Sequence, residues 1–250
     1  MEKVIKTALT EKLGIKYPIV CGTMQWISRA ELVAAVAEAG CLGIISSATF
    51  STVEELRAEI RKTKALTDKP FAVNMTFLPA LVVTDREAYM QCIADEGVKI
   101  IETSGLIPGE NLIKIIKDAG MFWIHKCTIV KHALKAQRSG ADMVVADGFD
   151  CAGHPGENDI GSMVLTPAFI QALDIPVISA GGFGTGRQLA AALMLGSQGV
   201  YMGSRFFLSK ECPVLDKVKN YVAENATEMD TALALRSFKN TSRYFKSNVI

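Results

Sequence analysis

The strongest constraint on the fold is a repeated change of rhythm, in which eight short β-rich apolar runs alternate with longer amphipathic stretches. The runs that read as strands cover residues 18–20, 42–46, 71–74, 99–103, 122–126, 143–147, 177–180 and 199–202. Helices are expected between them, for instance over 29–39, 53–63, 86–96, 110–119, 130–139 and 187–195. In the first of these, Leu32, Val33, Val36 and Ala37 share one helical face. The strands are apolar throughout rather than alternating, as in a parallel sheet covered on its outer face. Eight strand–helix repeats in about 200 residues fit a closed (β/α)8 TIM-type barrel better than an open sheet. A doubly wound sheet has the same local pattern and stays open as an alternative. After Phe207 the rhythm changes, and 213–226 and 228–238 read as two helices with no strand between them. The expected architecture is an α/β barrel forming one domain over 1–250, with a C-terminal helical extension at 211–250.

A chain of 250 residues suits one large barrel or two small domains equally, so the rhythm decides. Lys plus Arg (27) and Asp plus Glu (26) nearly cancel, leaving a net charge of +1. That balance argues against nucleic acid or an anionic membrane as partner. No uninterrupted apolar run reaches membrane-spanning length. The six cysteines (Cys21, Cys41, Cys92, Cys127, Cys151, Cys212) form no C-x-x-C pair, which suits neither a zinc site nor a disulfide framework. With no signal-peptide pattern at the N-terminus, a cytoplasmic protein with reduced thiols is expected.

In such barrels the active site lies at the C-terminal ends of the strands, and the polar residues and glycines collect there. Strand seven runs into Gly181-Gly182 and strand eight into Gly203-Ser204. The loops after strands seven and eight are the common phosphate site of this fold, where glycine amides and a helix N-terminus meet the anion. Thr185 is placed to cap the helix that follows. One Gly-Gly pair would read as a tight turn; two such loops at these two strand ends point to phosphate binding. They do not say whose phosphate, since aldolases and isomerases of this fold use the same device.

His154, in the glycine-flanked loop C-A-G-H-P-G, is the best proton-transfer candidate. His125, inside a strand end, and His132, on a helix, are weaker. Lys126 ends an apolar strand and projects into the barrel mouth, where an ion pair with Asp147 or Glu102 would also account for it. Asn74 ends strand three, either as a ligand group or as a residue satisfying its neighbours. Met24, Gln25 and Trp26 form a wall after strand one, with packing the plainer role for Trp26. No G-x-S-x-G, G-x-x-x-x-G-K-[ST], H-E-x-x-H or early G-x-G-x-x-G motif occurs, and no metal site is expected.

The segments G-T-M-Q-W, F-A-V-N-M-T, H-K-C-T, D-G-F-D-C-A-G-H-P-G-E, A-G-G-F and M-G-S-R-F together resemble the nitronate monooxygenase family, formerly 2-nitropropane dioxygenase. The resemblance runs from about residue 10 to about 248 and is most specific around His154. It is closest to a branch whose members include FMN-dependent NADH:quinone reductases, with flavin-dependent enoyl-acyl-carrier-protein reductase more distant.

The resemblance implies FMN contacts at Gly22, Thr23, Met24, Asn74, Lys126, Asp147, Ala152, Gly153, Gly181, Gly182, Gly203 and Ser204. It implies that His154 acts on the substrate, and that Lys126 lies near the ring edge that becomes anionic on reduction. The implied activity is oxidation of an alkyl nitronate with O2 to a carbonyl compound and nitrite. The alternative is NAD(P)H:quinone reduction, with quinone as the small-molecule substrate. Thr23 departs from a usual second glycine. The family also continues past 239–243 into helices that cover the site, whereas this sequence stops at Ile250, as a piece of a longer protein or with a reduced lid. A flavin-free phosphate-binding barrel using Lys126 as a Schiff-base amine, a non-catalytic flavin module, and a homodimer remain open alternatives.

Overall fold

The computed structural model describes residues 5–78 and 85–246. Apolar residues make up most of eight strands: β1 (Ile19–Cys21), β2 (Gly43–Ser46), β3 (Phe71–Phe77), β4 (Ile100–Gly105), β5 (Phe122–Cys127), β6 (Met143–Asp147), β7 (Val177–Ala180) and β8 (Val200–Met202). They pair in the order β1-β8-β7-β6-β5-β4-β3-β2, every pair parallel. The ends of that order meet through a parallel bridge between Val20 and Leu42. There the Cys21 amide donates to the Leu42 carbonyl at 2.9 Å and the Leu42 amide to the Ile19 carbonyl at 3.0 Å. The sheet therefore closes into the expected barrel rather than an open, doubly wound sheet.

The helices α2 (Ala30–Glu38), α3 (Val53–Leu66), α4 (Arg86–Asp95), α5 (Glu110–Asp118), α6 (Val130–Arg138) and α8 (Gly186–Met194) stand close to their expected bounds. Three more were not anticipated: α1 (Ala8–Leu13), α7 (Ser162–Ala172) and α9 (Ser204–Phe207). Helix α7 carries Pro167 in its interior and a largely apolar sequence, so neither helical periodicity nor a clean boundary marks it. Helix α1, capped by Thr7, sends Leu9 and Leu13 into the barrel interior and fills its N-terminal end.

Strand parity divides the core into two layers. One set of positions, including Val20, Ile44, Ala72, Ile124, Val145, Ile178 and Tyr201, fills the barrel. The alternate set, including Ile45, Val73, Ile101, Trp123 and Val144, packs under the helices. Inward positions near the strand tops are polar (Asn74, Glu102, Lys126, Asp147), so one parity supplies both the interior and the floor of the mouth.

His125 has the other parity. It is fully buried in the outer layer, with its ring edge-on to Trp123 at 6.2 Å between centroids. Trp123 Nε1 donates to Thr103 Oγ1 at 2.7 Å, and Thr103 Oγ1 lies 2.7 Å from His125 Nδ1. Because Thr103 Oγ1 already accepts from Trp123, its own hydrogen is free to bond Nδ1, which leaves the imidazole proton on Nε2. Burial is the main cause that lowers the His125 pKa to about 4, with the charge of His132 adding to it.

The tail corrects one sequence expectation. Helix α10 (Asp216–Asn225) forms within the expected 213–226, but 228–238 is not a helix. Instead β9 (Thr231–Ala234) and β10 (Ser242–Phe245) make an antiparallel hairpin around a 3-10 turn at Arg236–Phe238. The backbone turns left-handed at Leu235 (φ 61°) and Lys239 (φ 51°), which a continuing helix forbids. Positions 247–250 of the expected tail lie outside the described residues.

The buried neutral His125 makes stability pH-dependent. Its folded pKa (about 4) lies below the ordinary 6.5, so between these values the unfolded chain binds more protons and stability falls with falling pH. Denaturant unfolding at pH 7 and pH 4 should show His125→Asn losing less stability than the parent over this window, by about 3 kcal/mol. Identical losses would mean that His125 is not held neutral.

Candidate active site

At the centre of the mouth stands Glu102, a fully buried acid on β4. Its Oε1 accepts from Thr23 Oγ1 at 3.0 Å and from Asn74 Nδ2 at 2.6 Å. Its Oε2 accepts a short hydrogen bond from the Tyr201 hydroxyl. Tyr201 is buried, and burial, followed by the Glu102 charge, pushes its pKa well above the ordinary value, so it stays a donor. Beyond Asn74 the chain of bonds continues: Thr76 Oγ1 donates to Asn74 Oδ1 at 3.0 Å and lies 3.0 Å from Ser104 Oγ. Asn74 and Thr23 thus spend these polar groups on Glu102 and Thr76, the neighbour-satisfying reading raised for Asn74.

Lys126 is next to this network, its Nζ 3.6 Å from Asp147 Oδ2. Burial alone would lower the Lys126 pKa, but the charges of Asp147 and then Glu102 outweigh it and hold the amine above its ordinary value. Lys126 is therefore a fixed cation paired with Asp147. A protonated amine is a poor nucleophile, which counts against a Schiff-base role.

Main-chain bonds tie the top loops together. The Gly22 amide donates to the Met202 carbonyl at 3.0 Å, and the Gly148 amide to the Ala180 carbonyl at 3.0 Å. Arg205 Nε, just after β8, donates to the Gly184 carbonyl at 3.0 Å. Thr185 caps α8 as expected, its hydroxyl accepting from the Gln188 amide at 3.3 Å. The two glycine loops differ in why they need glycine. Gly181 has φ +98°, and a Cβ there would come within 2.9 Å of the Gly148 carbonyl oxygen, so the fold itself requires it. At Gly203 a Cβ would meet nothing within 4 Å and φ is −102°, so backbone sterics do not explain that glycine and open space lies before it.

His154 lies on the long β6–α7 loop, exposed at the mouth. The surrounding protein first, and the positive charge of Lys126 second, lower its pKa below the ordinary value, while Glu157 opposes them. The imidazole is thus neutral at pH 7 and can accept a proton. Neighbouring loops flank this segment. A Cβ on Gly156 would strike Thr128 Oγ1 at 2.6 Å, and one on Gly182 would lie 3.4 Å from Asp150 Cβ. Ala152 and Gly153 are exposed on the same loop.

The C-terminal hairpin clamps that loop, a role that sequence reasoning missed. Gly153 and Arg243 exchange backbone hydrogen bonds of 3.2 and 2.7 Å. The Arg243 guanidinium donates to the carbonyls of Cys151 (3.1 Å) and Phe149 (3.0 Å) and lies over the Phe149 ring. Thr241 donates through its amide (2.9 Å) and its hydroxyl (2.5 Å) to Glu157, and Arg236 holds Asp159 at 2.6 Å.

All the expected site residues therefore stand at the C-terminal ends of the strands or on the loops that leave them. Two further residues join them: Tyr201, unanticipated, and Glu102, anticipated only as an ion partner of Lys126. Their signal was a polar side chain at an inward position of an apolar strand. One other expectation changes: Trp26 is no packing residue, being 62% exposed with φ +69°. His125 and His132, the weaker histidine candidates, lie outside the mouth. All six cysteines are free, five of them buried. Among the described residues, no cluster of His, Cys, Asp and Glu could hold a metal, and no helix is long and apolar enough to cross a membrane.

The fold and this mouth define a TIM barrel with a buried acid–cation network and a neutral histidine at the top of its strands. The chain belongs to the nitronate monooxygenase family, whose model matches residues 6–250. It is 42% identical over 216 residues to (3aS,4S,5R,7aS)-5-hydroxy-7a-methyl-1-oxo-octahydro-1H-indene-4-carboxyl-CoA dehydrogenase of Rhodococcus jostii, covering 86% of this chain and 59% of that protein. The chain thus spans about three fifths of that relative's length. It is 30% identical to a probable nitronate monooxygenase of Staphylococcus saprophyticus, covering 92% of this chain and 75% of the relative. The structure of FabK from Thermotoga maritima superposes with a TM-score of 0.89 at 32% identity, covering 98% of this chain and 76% of FabK.

Two measurements check this geometry. In NMR titration, His154 should have a midpoint below 6.5, and Lys126→Met should raise it by removing a nearby positive charge; a midpoint unmoved by that change would refute the coupling. Arg243→Ala should speed amide exchange in residues 149–160 by about tenfold or more, since it removes two side-chain hydrogen bonds to carbonyls there. Unchanged protection would mean that the hairpin does not hold the loop.

Proposed function

We propose that this chain is a flavin-dependent oxidoreductase acting on a carbon acid, with a CoA thioester as the first candidate substrate. The observation that carries the proposal is the neutral His154 at the mouth, above the fixed cation Lys126. A neutral imidazole accepts the proton of a C–H bond made acidic by a thioester carbonyl or a nitro group. The extensive match to a relative named as a CoA-ester dehydrogenase favours the thioester.

The residues present fit a flavin, and FMN is the form proposed. The open space before Gly203, beside the linked loops after β7 and β8, suits a single phosphate. Gly22, Thr23, Met24, Asn74, Asp147, Ala152, Gly153, Gly181, Gly182 and Ser204 surround the same mouth and would line the rest of the site. When bound, flavin supplies an acceptor for the electron pair that leaves the substrate. Lys126 contributes a positive charge held in place by Asp147, which favours negative charge developing nearby at no cost of reorganisation. Glu102 positions Thr23, Asn74 and Tyr201 through direct hydrogen bonds. His154 takes the substrate proton, and Arg243 fixes the loop that presents it.

A second reading, oxidation of an alkyl nitronate with O2, is supported by the family match and by the relatives named probable nitronate monooxygenases. NAD(P)H:quinone reduction would use the same mouth.

Anaerobic bleaching of the purified protein's flavin spectrum separates these readings. Bleaching by an alicyclic carboxyl-CoA thioester supports the proposal, bleaching by propionate 3-nitronate alone supports the second reading, and bleaching by NADH alone supports the reductase. Colourless protein that takes up no FMN would overturn all three. His154→Ala should keep its flavin while the bleaching rate falls by about 100-fold or more. Gly203→Val should fold with unchanged thermal stability yet lose flavin, because its side chain enters the space assigned to the phosphate.

A further inference from the structure

Outside the mouth, the outer face of the barrel holds a concentration of positive charge that the chemistry above does not use. Helix α6 has the sequence VKHALKAQR, with four basic side chains and no acid in nine residues. Lys131, Lys135 and Arg138 recur at i, i+4 and i+7 and share a face. They line a cavity of about 220 Å3 together with His132 and, from the exit of β4, Gly105 and Ile107.

Several cations elsewhere in the barrel have a carboxylate partner: Lys114 with Asp118 on α5, Lys126 with Asp147, Arg57 and Arg61 with Glu96. Among the described residues, Lys131, Lys135 and Arg138 pair with no carboxylate. Like charges three and four residues apart on a helix repel one another slightly, and an anion bound among them would relieve that repulsion.

The cavity also has a definite relation to the mouth. Helix α6 starts at Val130, two residues after Thr128, and Thr128 abuts Gly156 on the loop that carries His154. The start of α6 therefore stands next to the loop that carries His154, within the span of an extended ligand anchored at both places. At about 220 Å3 the cavity is smaller than a typical pocket for a whole cofactor, which holds about 300–1,000 Å3, and fits a terminal group instead. An arginine fork with two flexible ammonium groups matches the oxygens of phosphate, a group with more charge than a carboxylate.

We propose that the α6 cavity is a phosphate subsite that holds the nucleotide end of a CoA thioester, with Lys131, Lys135 and Arg138 contacting its phosphates. The choice of CoA rests on the thioester reading above. The phosphate chemistry itself is shared with the 2′-phosphate of NADPH and with free phosphate, and the test distinguishes these sources.

The chain has three histidines, so the ring C–H signals of His132 can be followed by NMR in the flavin-loaded protein while ligands are titrated in. CoA should move the His132 signal saturably, and dephospho-CoA, which lacks the 3′-phosphate, should bind about tenfold more weakly. Lys135→Ala with Arg138→Ala should weaken CoA binding by about 100-fold, with flavin content and thermal stability unchanged. CoA that binds without moving His132, or that binds this double variant as tightly as the parent, overturns the site while leaving the thioester reading intact. If CoA does not bind but NADPH moves His132, the thioester assignment is overturned and the cavity belongs to a phosphorylated nicotinamide nucleotide. A response to inorganic phosphate equal to that of CoA overturns the nucleotide assignment. Silence of His132 to all four ligands overturns the anion site, whatever the bleaching experiment shows.

Discussion

Glu102 is an acid in the middle of an apolar barrel, and much of the mouth is arranged around it. Removing one partner from a buried charged pair costs about 3–5 kcal/mol, because the charge left behind has neither water nor counter-ion. Here the donors come from different parts of the chain: Thr23 after β1, Asn74 on β3 and Tyr201 on β8. Lys126 on β5 adds a positive charge, itself neutralised by Asp147 on β6. Five strands and one strand exit thus converge on one small group of polar atoms. The same bonds that satisfy Glu102 set where the side chains of the mouth stand.

A rigid floor of this kind leaves the upper loops to be positioned separately. The β6–α7 loop is long, and His154 lies in its exposed middle, 152–154. The hairpin β9–β10 adds a restraint through Arg243, Thr241 and Arg236, which reach the loop's carbonyls and two of its three acids, Glu157 and Asp159. Two independent anchors, one inside the barrel and one outside it, converge on the opening between Lys126 and His154. The left-handed backbone of the exposed Trp26 is a strained conformation at the same rim, of the kind that concentrates at functional sites.

The barrel was legible in the sequence because parallel strands buried on both faces must be apolar, and the amphipathic helices must follow them at near-constant spacing. The glycine loops and His154 were legible for a related reason: polar and small residues interrupt that pattern only at strand exits. Helix α7 escaped notice because an apolar helix with an internal proline has no amphipathic period to detect. The tail was misread because T-A-L-A-L-R-S-F suits a strand as well as a helix. The left-handed turns at Leu235 and Lys239, and the docking of Arg243 against Gly153, decide between the two.

By itself the sequence determined the alternation of parallel strands and helices, the strand exits that carry the chemistry, and the family to which the chain belongs. These follow from local rhythm and residue type, which are properties of neighbouring positions. The bridge between Val20 and Leu42 decided that the sheet closes. Only the tertiary structure decided that Lys126 is held as a cation by Asp147 and that Glu102 and Tyr201 complete the network. It also decided that His125 faces outward, that Trp26 is exposed, and that the tail is a clamp for the His154 loop. Each of these depends on contacts between residues far apart along the chain, up to about a hundred in the pairing of Glu102 with Tyr201. Such contacts are set by barrel closure and strand register, and no local pattern encodes them.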